Sequence, residues 1–280
     1  MQMRTSFFLS GLFLAAAVSS VAAQAQQAPV VVDAGLQAAI AGAQRTPAFV
    51  ARDGWRHPYE TLSFFGIKPT QTVIELSPGG GWYTEILAPY LRERGQLILG
   101  GDDPESAQAY YQRSAARLKE KLAATPAVYD RVQLGVFNPA AGKLALAPAG
   151  SVDLVLTFRN IHNWVSLGEA PTAAVFKSVF DTLKPGGVFG VVDHRRPAAQ
   201  AQDAKASSGY LHQAYVIRLA EQAGFKLAAS SELNANAKDT ADHEGGVWAL
   251  PPTLGNKDKD RARYEAIGES DRMTLKFVKP

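Results

Sequence analysis

Residues 72–84 read Thr-Val-Ile-Glu-Leu-Ser-Pro-Gly-Gly-Gly-Trp-Tyr-Thr, an apolar run that stops at a proline and three glycines. The apolar part, Thr72 to Leu76, has the length and β-branched content of a buried strand. Glycines let the main chain turn tightly and approach a ligand with no Cβ in the way. From Trp82 to about Arg92 the pattern is helical, and the first N–H groups of such a helix are free to face an anionic group. Pro89 lies inside this pattern and should kink the helix or end it early, because it removes one donor. Strand, glycine turn and helix in this order open an α/β sheet, whose ligands bind beyond the carboxyl ends of the strands.

The same alternation continues outward. Gln96 to Leu99 reads as a second strand, and Asp103-Pro104 as the cap and first residue of a helix of about twenty residues that Thr125-Pro126 stops. Val132–Val136 and Val152–Phe158 are the third and fourth strands. Pro171 begins a helix with Phe176, Val179, Phe180 and Leu183 on one face, broken at Lys184-Pro185-Gly186-Gly187 before a fifth strand, Val188–Val192. Gly209–Ala223 is amphipathic with Gly224 just past its end, and strands over 225–231 and 273–278 bring the count to seven. Residues 234–270 are polar and read as a long, partly ordered loop or a lid. On the other side, Asp33 caps a weak helix with Leu36 and Ile40, and residues 26–68 form a helical cover ahead of a domain over 69–280. The alternation predicts a Rossmann-like three-layer α/β sandwich around a mostly parallel sheet.

The first residues read as a targeting segment. Arg4 precedes an apolar run, Phe7 to Val18, too short to span a bilayer stably, with small residues and cleavage positions after Ala23 or Ala25. A signal peptide over 1–25 implies a periplasmic or secreted protein with no stable membrane anchor after cleavage. The absence of cysteine excludes disulfides, thiolate metal sites and a lipid anchor through that residue. Removing residues 1–25 takes away one arginine and no acid, so 29 basic side chains become 28 against 26 acidic ones. That balance argues against a nucleic-acid or membrane surface held by bulk charge.

Two cofactors compete for the glycine turn. A dinucleotide wants Gly-x-Gly-x-x-Gly, but counting from Gly79 the sixth position is Thr84, after bulky Trp82 and Tyr83. S-adenosylmethionine has no pyrophosphate and does not demand that third glycine. An acid at the end of the second strand is wanted for ribose hydroxyls, and Asp102 stands there, with Asp103 left as the helix cap. Trp82 is expected in the core.

Glu75-Leu76-Ser77-Pro78-Gly79-Gly80-Gly81, the acid Asp102, Val152-Asp153-Leu154-Val155 and Leu183-Lys184-Pro185-Gly186-Gly187 resemble, in order and spacing, the motifs of class I S-adenosylmethionine-dependent methyltransferases. More narrowly, Arg52-Asp53, Arg56-His57-Pro58, Phe64-Phe65-Gly66-Ile67, Pro78 to Thr84, Leu87-Ala88-Pro89-Tyr90-Leu91 and the ending Asp271-Arg272-Met273 to Lys279-Pro280 resemble an exported bacterial family of predicted methyltransferases. The resemblance implies a seven-stranded sheet with its last strand antiparallel, and a cofactor shell of Glu75, Ser77, Gly79, Gly80, Gly81, Asp102, Asn138 and Arg159. The chain departs from the wider pattern at Ser77, in place of the first glycine, so the turn there is expected at negative φ. Asn138 likewise replaces an acid that contacts the adenine amine, a hydrogen bond its amide oxygen can still accept.

Methyl transfer needs a positioned acceptor and sometimes a base for its proton. The ends of the fourth and fifth strands should border the methyl. They carry Arg159, Asn160, His162, Asn163 and Trp164, and Asp193, His194 and Arg195. His162 or His194 is expected as general base, oriented by Asp193. The same three side chains could in principle hold a metal, but their spacing is not diagnostic, and no metal is expected. His57 is a further candidate to close the cofactor pocket and His212 to stand near the acceptor wall, while His243 is expected in solvent. The function read from the sequence is methyl transfer from S-adenosylmethionine to a small-molecule acceptor. The alternative is a non-catalytic exported scaffold, or a nucleoside- or small-ligand-binding protein, that keeps the fold.

Overall fold

The structure is a computed structural model that describes Met1 and residues 32–280. The predicted signal peptide beyond Met1, with its cleavage positions, lies outside the described residues. No described helix is long and apolar enough to cross a membrane.

Four short helices come first: α1 (Ala34–Ala41), α2 (Pro47–Val50), α3 (Asp53–Arg56) and α4 (Pro58–Phe65). Asp33 caps α1 as expected, its carboxylate accepting the Leu36 N–H at 2.9 Å. Then follow β1 (Thr72–Leu76), α5 (Thr84–Leu91), β2 (Gln96–Gly101), α6 (Ala109–Ala124), α7 (Pro126–Tyr129), β3 (Gln133–Val136) and β4 (Val152–Phe158). The chain continues with α8 (Ile161–Ser166), α9 (Glu169–Thr182), β5 (Leu183–His194), α10 (Gln213–Gln222), β6 (Lys226–Ser231), α11 (Arg261–Ile267) and β7 (Arg272–Val278).

The seven strands form one sheet in the order β3-β2-β1-β4-β5-β7-β6. All pairs are parallel except those of β7, which runs antiparallel to both β5 and β6. Parallel strands are covered on both faces, so their residues are apolar on both sides. One core, with Trp164, Phe176, Phe189 and Phe277, lies under α8, α9 and α10. The other, with Leu36, Phe65, Ile86 and Leu91, lies under α1, α4 and α5. Strand order reverses between β1 and β4, so a crevice opens at their carboxyl ends.

Three expectations are corrected here. Asp103 does not cap a long helix. Residues 104–108 make turns, α6 starts at Ala109, and the Asp103 carboxylate instead accepts the Glu105 N–H and the Asn138 amide. Lys184 to Gly187 ends α9 but is not a clean gap before β5. It belongs to the strand as an irregularity, because Val152 pairs with Leu183 and Leu154 with Val188. The polar stretch 234–270 is ordered, with a 3₁₀ turn at Gly246–Ala249 and helix α11.

Pro89 sits inside α5 without ending it. The carbonyl of Glu85, four residues back, lacks its helical N–H partner and accepts the Gln44 side-chain amide at 3.1 Å. The missing helical bond thus joins the N-terminal helices to the sheet layer.

Candidate active site

The crevice above β1 and β4 is a cavity of about 870 Å³, within the roughly 300–1,000 Å³ of small-molecule sites. Its floor is the glycine turn. Gly79 and Gly81 have φ of 56° and 81°, values open to glycine at little cost. A Cβ at Gly79 would meet nothing within 4 Å, so bare main chain faces open space there. Gly79 and Gly80 line the cavity, whereas Gly81 does not and only turns the chain into α5.

Ser77 contradicts the negative φ expected of it: its φ is 50°. The non-glycine residue takes the left-handed conformation that the replaced glycine would have taken, at a cost of roughly 1–2 kcal/mol. Its N–H donates to the Gly100 carbonyl at 2.9 Å, and the Asn160 amide reaches the Leu76 carbonyl at 3.2 Å. Arg159, at the end of β4, has φ 63° and donates its N–H to Val192 at 2.7 Å. Strained main chain at the ends of two adjacent central strands is a feature of functional sites.

Of the predicted cofactor residues, Glu75, Ser77, Gly79, Gly80, Asp102, Asn138 and Arg159 line the cavity and Gly81 does not. Glu75 is buried, and burial pushes its carboxyl up to about 7 although the Thr84 hydroxyl donates to it at 2.6 Å. Asp102 lines the cavity, its carboxyl raised by burial with the Ser114 hydroxyl working the other way. Asn138 lines it too, held by its amide on Asp103 at 2.9 Å, with its oxygen accepting the Ala141 N–H. Asp103 is also ion-paired with Lys143, and the Asn138 and Lys143 hydrogen bonds hold its carboxyl at about 2. Trp82 and Tyr83 are buried and do not fill the hollow; they form part of its side. Tyr83 stacks on Phe158, ring centroids 3.5 Å apart.

Across the cavity, the ends of β4 and β5 bring the predicted catalytic groups together. His162 Nδ1 lies 2.9 Å from an Asp193 oxygen, and the same carboxylate accepts the main-chain N–H of His162 at 3.3 Å and of His194 at 2.7 Å. His194 Nδ1 is 2.6 Å from the Ser270 hydroxyl, and the two imidazole centroids are 5.2 Å apart. Both rings line the cavity, while Asp193 is fully buried behind them. Burial, and then the nearby His162 and Arg159, push the His194 pKa well below the usual histidine range, so it is neutral. Ligand atoms of the three residues lie within 4.8 Å of one another. The Asp193 carboxylate is taken up by N–H donors and one nitrogen of each ring is engaged, an arrangement that favours a hydrogen-bonded pair over a cation cage.

Other histidines stand elsewhere. His57, at φ 43°, joins α3 to α4 and is not on the cavity wall. His212 precedes α10 and bonds the Gln200 carbonyl through Nε2 at 2.8 Å, also away from the cavity. His243 is not solvated: it is buried, with Nε2 2.8 Å from Asp239. Residues missed by the sequence reading are Arg52 and Arg56, which line the cavity, and Trp248, whose ring lies 6.1 Å from that of His162. The Arg52-Asp53 and Arg56-His57-Pro58 runs flagged the first two without giving them a role.

Solved structures share this architecture. An S-adenosylmethionine-dependent methyltransferase from Aquifex aeolicus aligns over 82% of this chain and 93% of its own, with TM-score 0.55 and 14% identity. The glycopeptide N-methyltransferase MtfA in complex with S-adenosylmethionine aligns over 81% of this chain and 95% of its own, with TM-score 0.52 and 18% identity. The [4+2]-cyclase SpnF aligns over 88% and 91%, with TM-score 0.54 and 14% identity. The fold is that of class I methyltransferases. No protein-family model matches the chain, and no curated protein matches it in sequence. At these identities the likeness carries the architecture and leaves the chemistry to the site.

Proposed function

We propose that this protein binds S-adenosylmethionine above the glycine turn and transfers its methyl group to a small-molecule acceptor held against His162. The observation that carries the reading is the placement of bare main chain at Gly79, a carboxylate at Asp102 and a histidine–aspartate pair around one cavity at the strand-order reversal. The donor fits the wall chemically. Asp102 would accept from ribose hydroxyls, the second lone pair of the Asn138 amide oxygen from the adenine amine, and Glu75 would stand near the amino-acid end.

Bound S-adenosylmethionine supplies an electrophilic methyl on a sulfonium, whose sulfur keeps the electron pair of the broken bond. The chain's own part is to align the acceptor and take its proton. With Asp193 accepting the Nδ1 proton, His162 would present the lone pair of Nε2. That nitrogen would receive the proton lost by the acceptor heteroatom. His194, kept neutral, adds no positive charge beside it.

Titration calorimetry with S-adenosylmethionine and S-adenosylhomocysteine tests the proposal. Absence of heat with both, from folded protein, would leave the fold as a scaffold or as the frame of a different chemistry, as the cyclase neighbour illustrates. Export to the periplasm or medium is part of the same proposal, supported by residues 1–25 alone. A reporter fused behind those residues that is active only inside the cytoplasm would refute it.

A further inference from the structure

One end of the cavity carries more positive charge than any single donor molecule can answer. Arg52 and Arg56 from α3 and its approach, and Arg159 from the end of β4, line the wall, with Arg272 at the start of β7 behind them. Among the described residues, one carboxylate meets this group. Glu269 takes Arg52 at 2.6 Å, Arg56 at 3.2 Å and Arg272 at 2.9 Å. Among the described residues no side-chain ion pair holds Arg159.

The hydrogen-bonding of the cluster is incomplete as well. Arg56 is 2% exposed, and among the described residues its Nη2 has no partner; Arg52 Nη2 and Arg272 Nε are buried without one there too. Buried guanidinium N–H groups without acceptors are costly, and two of these arginines, Arg52 and Arg56, line the cavity, which points to an acceptor supplied by a ligand. Burial, followed by the charge of Arg159, depresses Arg56, a sign of how closely the cations crowd.

The donor's single carboxylate, even if it turned toward the arginines, would leave an excess at this end. At neutral pH the donor carries a sulfonium, an ammonium and one carboxylate, a net positive charge that would add to the excess. We infer that the second substrate bears an anionic handle, such as a carboxylate, sulfonate or phosphate, that docks on Arg159 beside Arg52 and Arg56 of the cavity lining. This rests on the methyl-transfer reading for the word substrate, but not for the anion site itself. Arginine forks suit planar or tetrahedral oxyanions, and a handle seated there would fix the acceptor in register with His162.

Inorganic sulfate is the probe. It is titrated, at constant ionic strength, into the free protein and into protein saturated with S-adenosylhomocysteine, and followed by calorimetry and by the thermal midpoint. The expected result is sulfate binding in both states, weakened about tenfold or more in Arg159→Gln. The inference moves Arg159 from the cofactor shell that the resemblance implied to the acceptor's end, so binding of S-adenosylhomocysteine should change less than about threefold in that variant. Arg159→Lys, which keeps the charge and loses the fork, should fall between and serves as the check should the glutamine variant fold poorly. Sulfate displaced by S-adenosylhomocysteine, together with a tenfold loss of S-adenosylhomocysteine in Arg159→Gln, would assign the arginines to the donor's carboxylate and overturn the inference. No sulfate binding in either state would overturn it too. Sulfate binding that depends on Arg159, in a protein that ignores both adenosyl compounds, would sink the methyl-transfer reading and leave the anion site standing.

Discussion

Asp193 grips His162 at two points, one oxygen 2.9 Å from the ring Nδ1 and the other 3.3 Å from the main-chain nitrogen of the same residue. Because backbone and ring are held by one buried carboxylate, the imidazole has little freedom in either position or tautomer. Nitrogen-15 spectra of the imidazoles should therefore show one dominant His162 tautomer, with its proton on Nδ1. Asp193→Asn should mix the tautomers and, once an acceptor is in hand, lower kcat by on the order of 10²-fold or more, and His162→Ala by 10²- to 10⁴-fold. Full turnover in His162→Ala would remove the base from the mechanism.

Glu75 gives a proton-counting prediction. Its folded pKa of about 7 exceeds the ordinary 4.5, so the protonated form stabilises the fold. That contribution is present in full below pH 4.5 and is lost as pH rises through 7, amounting to roughly 3 kcal/mol. Glu75→Gln should flatten the fall in stability between those pH values, measured by urea unfolding at pH 5 and 8. If the donor's ammonium meets Glu75, S-adenosylhomocysteine binding at pH 6 should release a proton, seen as a binding enthalpy that varies with the buffer's ionisation enthalpy.

Asp102 should matter for affinity more than for stability. Two hydrogen bonds to a charged acceptor are each worth roughly 1.5–3 kcal/mol. Asp102→Ala is expected to weaken S-adenosylhomocysteine by roughly a hundredfold or more in calorimetry, with the thermal midpoint of the free protein nearly unchanged. Unchanged affinity would move the ribose elsewhere.

Glu269 answers three arginines. Burial alone pushes its carboxyl up, but Arg56, Arg272 and Arg52 outweigh it and hold it at about 2. Glu269→Gln leaves the cations uncompensated and should cost on the order of 3–5 kcal/mol by chemical denaturation. For the native residue the sign is opposite to that of Glu75: its stabilisation is complete above the ordinary 4.5 and lost as pH falls toward 2.

The central strands were legible because buried parallel strands must be apolar on both faces, whereas the largely exposed edge strands β3 and β6 were placed by the alternation of elements. The glycine turn, Asp102 and the His162–Asp193 pair were legible for a related reason: they sit at strand ends, where topology brings them together. What escaped depends on packing. Ser77 at positive φ is dictated by the Gly100 and Asn160 contacts around it, not by the propensity of serine. His243 looked solvated in a polar stretch, and only the fold shows it buried on Asp239. Asp103-Pro104 has the chemistry of a helix start, yet Asn138 and Lys143 claim the carboxylate first. Arg52 and Arg56 belong to the helices ahead of the sheet, and no local pattern says which cavity such a segment will border.

The Glu269 clasp also sets an order of arrival. Its partners Arg52 and Arg56 lie 217 and 213 residues upstream, and β7, which begins three residues after it, slots between two strands already made. A nascent chain can close its glycine turn early, yet the arginines must wait, mutually repelling, until the final strand threads into place. Contacts this remote slow folding. The pocket is thus a late checkpoint, and a circular permutant opened between β6 and β7, which supplies the clasp first, should mature faster than the natural order.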